Sequence, residues 1–368
     1  MGNIKNFLSD RPTRDILSIF VISRLLILFI GYLSSLVIIK GEFFKRPVIL
    51  HSLLDLFYRW DSGWYISIVK QGYSYIVGRE SSAAFFPLFP LVVKALTFVF
   101  KNPVITGFIA SNVFFILGAF YLYKLILIDY KDYSIAFRAV FYMMIFPSTF
   151  FFSVPYTEGL FIFLVTACFY YAVKQKWLAA SIFGFFLSLT KVFGVLIAVP
   201  LIAEYFLNSG RIKKDILWLL LIPMGLILYM GYTCLRFGDA FAFYHSASAW
   251  GVKFAPILTT LADVKRYSLF YRWVFLGTIG ITSILIAYLI YFKVRMSYII
   301  YAVSFFIMFL SINILEGIER YIIVLFPLYL SLSLIGTKNR FLDICIILFS
   351  TAFLVLFTVL FANGYWFT

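Results

Sequence analysis

A single carboxylate stands among large aromatic side chains in the segment RWDSGWY, residues 59–65. This segment lies in the longest polar interruption of an otherwise apolar sequence. A carboxylate within hydrogen-bonding distance of a hydroxyl can accept its proton as a general base. An aspartate in front of an apolar helical pattern is also an ordinary helix N-cap. Both interpretations of Asp61 stay open, because capping does not exclude catalysis.

The composition predicts which elements hold this segment in place. Hydrophobic residues make up 63% of the 368 residues and charged residues 13%, against roughly 45–50% and about 25% in a soluble domain. Several apolar runs approach or exceed the ~20 residues that a membrane-spanning helix needs. Backbone groups in hydrocarbon must be hydrogen-bonded within their own segment, which argues against strands. We therefore predict an all-α polytopic membrane protein with one domain, residues 1–368.

The formal net charge of +15 does not gather on one basic face, as nucleic-acid binding would require. The cations instead lie in short loops between apolar runs, where Lys5, Lys124, Arg138, Arg211 and Arg295 mark the inner side of a membrane. The first run is too long for a signal-peptide core, and we interpret it as an uncleaved span. The pattern predicts eleven spans: residues 16–39, 103–125, 135–153, 158–173, 177–190, 192–206, 216–235, 270–292, 297–314, 321–335 and 341–361.

The segment Phe85–Phe100 is apolar but cannot also span, because an odd number of crossings must connect Asp61 outside to Lys124 inside. As a helix it would measure about 24 Å, and it carries Lys94 midway. We predict that it lies in the outer interface, within a first outer loop of residues 40–102. A second outer loop covers residues 236–269.

The remaining unusual polar residues fall on the same predicted outer side: Tyr156 and Glu158, Lys191, His245 and Trp250, and Arg320 with Tyr321. Such a gathering suits a site where an amphipathic lipid meets a polar acceptor. Each residue type also has a plainer interpretation, since tryptophans anchor at interfaces, long cations snorkel and Glu158 could cap its own helix. Arg24 lies inside the first span, where we expect it to reach the inner surface or a neighbouring helix.

Together these segments resemble the PIG-V family of GPI mannosyltransferase 2-like proteins, which includes prokaryotic homologues and belongs to the GT-C class of membrane glycosyltransferases. The resemblance rests on RWDSGWY at 59–65, FFPLFPL at 85–91, FFS at 151–153, YTE at 156–158, LTKVFG at 189–194, FGD at 237–239 and RY at 320–321. The family more often has Arg where Lys191 stands. It implies a GT-C-type fold and transfer of a sugar, typically mannose, from a polyprenyl-phosphate sugar to an acceptor hydroxyl on the extracytoplasmic or lumenal face.

Under this resemblance Asp61 is the predicted general base of an inverting transfer. Lys191, Arg320 and Tyr321 are predicted to bind the donor phosphate, since guanidinium and ammonium groups neutralise a departing phosphate. The predicted substrate-binding residues are Arg59, Trp60, Trp64, Tyr65, Tyr156, Glu158, His245 and Trp250.

No Asp-x-Asp pair accompanies Asp61, and the three cysteines fall in three separate predicted helices. We expect no cofactor and no metal site, although the sequence leaves a divalent ion open. The expected partners are the donor lipid, a glycan or lipid-linked acceptor and membrane lipids, with room for a partner subunit. We expect an integral protein of the plasma membrane in a prokaryote, or of the endoplasmic reticulum membrane in a eukaryote.

Two other classes of function remain open from the sequence. A transporter or flippase also needs many spans and recessed charges, but secondary transporters usually show paired halves and a site at the membrane midplane. No such repeat is visible in this sequence, and the polar residues gather at one face. A non-catalytic membrane subunit would not require a carboxylate framed by aromatic rings.

Overall fold

The computed structural model describes residues 11–38, 53–209 and 213–365. In this part of the chain the secondary structure is helical, with one isolated bridge between Phe254 and Ile312. Lys5, Arg211 and residues 40–52 of the predicted first outer loop lie outside the described residues. The α-helices are α1 (Arg11–Val37), α2 (Asp61–Gln71), α3 (Leu88–Phe100), α4 (Pro103–Tyr130), α5 (Tyr133–Ile145), α6 (Glu158–Val173), α7 (Trp177–Ser188), α8 (Ala198–Ser209), α9 (Leu221–Phe237), α10 (Ala242–Ala249), α11 (Ile257–Ala262), α12 (Leu269–Tyr291), α13 (Met296–Leu310), α14 (Ile318–Ile322), α15 (Phe326–Lys338) and α16 (Arg340–Ala362). Short 3-10 helices lie at Leu53–Phe57, Ser82–Ala84, Thr149–Phe152, Val192–Ile197, Lys214–Leu220 and Asp263–Arg266.

Helices occur within all eleven predicted spans, but their lengths differ. Among the described residues, five helical stretches are long and apolar enough to cross a membrane alone: Arg11–Val37, Pro103–Tyr130, Lys214–Phe237, Leu269–Tyr291 and Arg340–Ala362. A sixth crossing is available if Ile318–Val324 and Phe326–Lys338, which are bent by 76°, form one span. The all-α membrane fold is therefore confirmed, whereas the number of eleven crossings stays a prediction.

The remaining predicted spans contain short helices. Helices α5, α6, α7 and α13 have 13, 16, 12 and 15 residues, which is about 18–24 Å of helix against a hydrocarbon core of ~30 Å. Non-helical backbone at membrane depth is tolerated where it is buried in protein or lines a cavity. Because these helices are short, the non-helical segments between them, here called breaks, can lie inside the bundle together with their polar side chains.

The first break, residues 146–157, separates α5 from α6. Phe146 precedes Pro147 and leaves the helical conformation (φ −57°, ψ 143°), because a residue before proline disfavours the α region. Helix α6 then begins at Glu158. Gly159 allows this start to pack closely on α4, since a Cβ there would lie only 2.5 Å from the Ser111 carbonyl oxygen. Glu158 is thereby fixed at the contact between α6 and α4.

Two further breaks place the cations that the sequence singled out. The second break, residues 189–191, ends in the extended Lys191 (φ −155°, ψ 152°). The third break, residues 311–317, ends at Gly317, whose φ of +81° is unfavourable for residues with a Cβ. Arg320 follows in the short helix α14. All three breaks thus end within three residues of a charged side chain.

Helix α3 forms within the segment Phe85–Phe100 that we predicted to lie in the outer interface. Phe89 and Val93 are buried on one face, and Leu91 and Phe98 are exposed. The backbone NH of Leu88 donates to the Leu189 carbonyl at 3.0 Å, which joins α3 to the second break. Such one-sided burial is typical of a surface helix, and its place at a membrane interface stays a prediction.

Candidate active site

Asp61 is the first residue of helix α2 and not its N-cap. The N-cap position belongs to Trp60, which makes no side-chain capping hydrogen bond, so the N-cap interpretation of Asp61 is wrong. The Asp61 Oδ2 atom instead accepts a hydrogen bond from Nη1 of Arg320 at 2.6 Å. Trp60 has a φ of 41°, an unfavourable value for a bulky residue that occurs preferentially at functional sites. The Asp61 carboxylate is therefore used in a tertiary contact with Arg320 and not in capping its own helix.

Four charged side chains form a continuous site ion network: Lys191, Glu158, Arg320 and Asp61. The Lys191 Nζ atom lies 2.6 Å from Glu158 Oε1. The same Oε1 atom lies 3.4 Å from Nε of Arg320, whose Nη1 contacts Asp61. The two cations and two carboxylates balance in formal charge. The side chain of Glu158 is 1% exposed and that of Asp61 30%, so Asp61 is the most accessible member in contact with Arg320.

Two atoms of this network have no hydrogen-bond partner among the described residues, Glu158 Oε2 and Arg320 Nε. Buried polar side-chain atoms are nearly always hydrogen-bonded in folded proteins, and leaving one unpaired costs about 1–3 kcal/mol. The Arg320 side chain is only 10% exposed. The network therefore keeps unused hydrogen-bonding capacity in a buried position.

Aromatic rings surround the cations of the network. The Arg320 Cζ atom lies 5.2 Å from the ring centroids of both Tyr156 and Tyr321, and Lys191 Nζ lies 5.4 Å from that of Tyr321. Cation–π contacts of this length are attractive and gain strength when desolvated. Burial, followed by the negative charges of Asp61 and Glu158, raises the pKa of Tyr65 well above its usual value. The Tyr65 phenol therefore stays neutral beside the carboxylates.

The network opens onto a cavity of about 990 Å³, at the upper end of the size range of ligand pockets in proteins. Eight of the predicted site residues line it: Trp60, Asp61, Trp64, Tyr65, Lys191, Trp250, Arg320 and Tyr321. Trp64 stacks on Phe85 at 5.7 Å between ring centroids, and Trp250 meets Trp64 edge-on at 5.3 Å. The cavity thus combines a charged corner with an aromatic wall.

The aromatic wall is held by phenol hydroxyls from two other elements. Tyr73 donates to the Phe85 carbonyl at 2.8 Å, and Tyr229 of α9 donates to the same oxygen at 3.2 Å. Phe86 packs against Tyr229 and Phe243 at 4.7 and 5.5 Å between ring centroids. The wall is therefore built on both predicted outer loops and on α9.

Four predicted substrate-binding residues are not among those that line the cavity. Tyr156 and Glu158 instead contact Arg320. The Arg59 guanidinium donates to the carbonyls of Leu56 and Ala362 at 3.3 and 3.2 Å, so it ties the first loop to α16. A direct contact of Arg59 with substrate stays a prediction that this geometry does not favour.

His245 also lies apart from the cavity, on the exposed side of α10. Its Nδ1 atom lies 2.6 Å from Asp239 Oδ2, which also accepts from the Tyr75 hydroxyl at 2.6 Å. Burial alone would raise the pKa of Asp239, but the hydrogen bonds from Tyr75 and His245 hold it below its usual value. Asp239 thus joins the second outer loop to Tyr75 of the first, and His245 bonds to Asp239 within the second loop. The predicted contact of His245 with substrate remains untested.

Several residues that line the cavity were not predicted from the sequence: Glu80, Thr190, Phe193, Tyr244, Lys253 and Glu316. Three of these, Glu80, Lys253 and Glu316, are charged residues in predicted outer loops. A search of those loops for charges would have found them. Thr190 and Phe193 lie in the LTKVFG segment that supports the family resemblance, and Tyr244 carries no signal, because an aromatic residue is ordinary in this composition.

No group of three or more His, Cys, Asp or Glu side chains is arranged to hold a metal ion in the part of the chain that the structure describes. The expectation of no metal or other cofactor stays a prediction.

Comparison with known proteins identifies the family. A family model described as Mannosyltransferase (PIG-V) matches residues 14–205, just over half of the chain. This range contains Asp61, Glu158 and Lys191. No curated protein sequence matches the chain.

A solved structure with a similar fold is an oligosaccharyltransferase of Archaeoglobus fulgidus tethered to an acceptor peptide. The match has a TM-score of 0.51 at 13% identity and covers 95% of this chain and 55% of that one. The present chain therefore spans about half of that protein, and the likeness shows a common GT-C-type fold. Together with the family match, it confirms the resemblance seen in the sequence: the chain belongs to the PIG-V mannosyltransferase family of membrane glycosyltransferases.

Proposed function

We propose that the protein transfers mannose from a polyprenyl-phosphate-mannose lipid to an acceptor hydroxyl, with inversion at the anomeric carbon. The observation that carries this proposal is the contact between Asp61 and Arg320 at the edge of the cavity, with Lys191 joined to Arg320 through Glu158. A base and two cations in one corner are what a transfer from a sugar phosphate needs. The membership of the chain in a mannosyltransferase family favours mannose as the sugar.

The cations act on the leaving group. When the bond between the anomeric carbon and the phosphate oxygen breaks, its electron pair stays on that oxygen and converts the phosphodiester into a more highly charged phosphate. Arg320 can bind phosphate oxygens through two parallel hydrogen bonds, and Lys191 contributes a compact charge. Fixed cations aimed at developing charge in a site of low dielectric lower the barrier strongly. The Tyr321 hydroxyl, 3.4 Å from Arg320 Nη2, adds a further hydrogen-bonding group.

Asp61 acts on the acceptor. As the acceptor oxygen attacks the anomeric carbon from the face opposite the phosphate, the Asp61 carboxylate takes the proton that this oxygen loses. In the structure Asp61 Oδ2 is hydrogen-bonded to Arg320, and a phosphate competes for the same guanidinium. Donor binding therefore weakens the contact between Asp61 and Arg320 and makes the carboxylate available to the acceptor.

The walls of the cavity suit the two substrates. Val192, Phe254, Met308 and Ile312 are apolar residues of the cavity lining, and Phe254 is 63% exposed. A polyprenyl chain fits such a surface. The aromatic wall around Trp250 suits the apolar face of a sugar ring and leaves polar groups to orient its hydroxyls.

The reaction takes place on the extracytoplasmic or lumenal face, in the plasma membrane of a prokaryote or the endoplasmic reticulum membrane of a eukaryote. Support comes from the charge pattern, since Asp61, Lys191 and Arg320, which it assigns to the outer side, all line the cavity. Arg295, which the charge pattern assigns to the inner side, pairs with Asp129 and does not line the cavity.

The proposal is tested with purified protein in detergent micelles, radiolabelled polyprenyl-phosphate-mannose and a lipid extract of the cell envelope. Polyprenyl-phosphate-glucose serves as the matched donor control. We expect a mannose-labelled product whose new glycosidic bond has the opposite anomeric configuration to the donor. Retention of configuration would contradict the role of Asp61 as base, and preference for the glucose donor would contradict the choice of sugar. A transporter would form no product in micelles, where there is no compartment to fill.

A further inference from the structure

Arg24, in the middle of α1, is a buried cation that the mechanism does not use. Its Nη1 atom donates to the Thr149 carbonyl and to Ser153 Oγ, both at 3.0 Å. Its Nη2 atom donates to the Met144 carbonyl at 3.1 Å and to Thr149 Oγ1 at 3.2 Å. All four acceptors belong to the last turn of α5 or to the first break. A single guanidinium from another helix therefore holds the end of α5 together with residues 149 and 153 of the first break.

The partners of Arg24 are carbonyls and hydroxyls, and among the described residues it makes no ion pair with a carboxylate. Its Cζ atom also lies 4.9 Å from the ring centroid of Phe115. Burying a charge without a counter-ion is costly, and the negative end of a helix is one of the few structures that offset this cost. The arrangement binds the carbonyl end of α5 at the point where Pro147 ends the helix.

The first break, which Arg24 holds, contacts the chain beside both halves of the active site. The Tyr156 hydroxyl donates to the Arg59 carbonyl at 3.2 Å, two residues before Asp61. The Ser148 hydroxyl donates to the Glu319 carbonyl at 2.7 Å, one residue before Arg320. The same break leads directly into Glu158, the first residue of α6 and the central carboxylate of the site ion network.

We propose that Arg24 is a positioning residue, which sets the distance between Asp61 and Arg320 through the first break. As a statement about catalysis the inference rests on the proposed function, because it assigns a purpose to the spacing of the base and the phosphate-binding cation. Effective catalysis requires reacting groups to be held close to their productive geometry, and a displacement of about 1 Å can cost on the order of 100-fold in rate. Arg24 acts without touching substrate.

The test compares Arg24→Gln with Arg138→Gln. Arg138 lies in the middle of helix α5 and binds Asp343 rather than the first break. Both variants lose one guanidinium that joins α5 to a neighbouring helix, so both are expected to lower the melting temperature. Hydrogen exchange by mass spectrometry follows peptides that contain residues 59–63, 146–157 and 317–322, and turnover is measured per folded molecule.

We expect Arg24→Gln to increase exchange in all three peptides and to reduce kcat at least 10-fold, with Arg24→Lys recovering part of the loss. Arg138→Gln should change neither the exchange of these peptides nor kcat. Increased exchange confined to residues 146–157, or an unchanged kcat in folded Arg24→Gln, would overturn the inference. If wild-type protein forms no product, the proposed function fails, while the exchange data still decide whether Arg24 orders both sides of the site.

A second variant keeps the inference testable if Arg24→Gln does not fold. Ser148→Ala removes only the hydroxyl that reaches the Glu319 carbonyl. We expect increased exchange at residues 317–322 and a kcat reduced about 3-fold or more, with Ser304→Ala, whose hydroxyl bonds within its own helix, as the matched control. Equal behaviour of the two serine variants would overturn the link between the first break and Arg320.

Discussion

Two clusters of ion pairs in this molecule each join one arginine to an aspartate and a glutamate, but the polar atoms of the two clusters are bonded differently. In the first, here called the α13 clasp, Arg295 binds Asp129 and also Glu204, the latter at 2.9 Å. Ser297 donates to the second Glu204 oxygen at 2.5 Å, and Tyr298 donates to Asp129 Oδ2 at 2.7 Å. Both oxygens of each carboxylate therefore have a partner.

The site ion network is the second cluster, and its bonding is incomplete. Glu158 Oε2 and Arg320 Nε lack hydrogen-bond partners within the described chain, and Asp61 and Arg320 line a large cavity. The residues of the α13 clasp do not line that cavity. A saturated cluster ties helices together, whereas an unsaturated cluster beside a cavity has capacity for a ligand. Unpaired polar atoms next to a cavity therefore distinguish a candidate ligand site from a structural ion pair, whereas burial of the charged side chains alone does not.

The largest expected effect comes from Asp61→Asn. The amide keeps the shape of the side chain but cannot accept the acceptor proton, so we expect kcat to fall about 1,000-fold, within the usual range for loss of a general base. Donor affinity should be unchanged or higher, because the carboxylate no longer competes for Arg320. Turnover and donor binding measured on the same preparation check both parts, and full activity in this variant would refute the assignment.

Arg320→Gln is expected to act mainly on donor binding. Hydrogen bonds to charged groups contribute roughly 1.5–3 kcal/mol each, and the loss of one such bond corresponds to a donor affinity lower by about 10- to 100-fold. Titration with a polyprenyl phosphate, followed by intrinsic tryptophan fluorescence, measures this affinity without turnover. An unchanged affinity would mean that the phosphate binds elsewhere.

Lys191 should show a smaller effect that depends on charge. Lys191→Gln removes the charge and leaves Glu158 paired with Arg320 alone, and we expect about 10-fold weaker donor binding. Lys191→Arg keeps the charge, and its affinity should stay within about 3-fold of wild type. If both variants bind the donor equally, Lys191 serves the structure and not the phosphate.

Arg295→Gln is expected to have the smallest effect on activity and a clear effect on stability. Removing one partner of a buried ion pair typically costs about 3–5 kcal/mol of unfolding free energy, and this variant leaves two carboxylates without their cation. Thermal unfolding should therefore shift downwards while kcat per folded molecule stays unchanged. A loss of kcat as large as that of Asp61→Asn would remove the distinction between the two clusters.

Eight of the twelve residues that the sequence singled out line one cavity, because strong local signals mark them. Asp61, Lys191 and Arg320 stand out as charges in an apolar chain, and the charge pattern placed them on one side. Their pairing could not be predicted, since Asp61 and Arg320 are 259 positions apart. The N-cap interpretation failed for the same reason: a local capping pattern carries no information about a distant guanidinium. The orientation of Arg59 towards the Ala362 carbonyl is likewise a tertiary effect.

The helices were also predicted from hydropathy, but hydropathy did not predict how long each helix is. An apolar run such as residues 135–153 covers most of helix α5 and then the start of the first break, because Pro147 ends the helix inside the run. Hydropathy does not distinguish a helix that crosses from a helix that stops in the bundle. The number of membrane crossings therefore cannot be determined from the hydropathy pattern alone.

The most direct test of the central claim is an experimental structure of the protein with a non-reactive polyprenyl-phosphate-mannose analogue. We predict phosphate oxygens within about 3.2 Å of the Arg320 guanidinium and Lys191 Nζ, the ordinary hydrogen-bonding distance. The Asp61 carboxylate should lie across the anomeric carbon from the phosphate and no longer be bonded to Arg320. A phosphate bound away from both cations, or Asp61 on the same face of the sugar as the phosphate, would contradict the account.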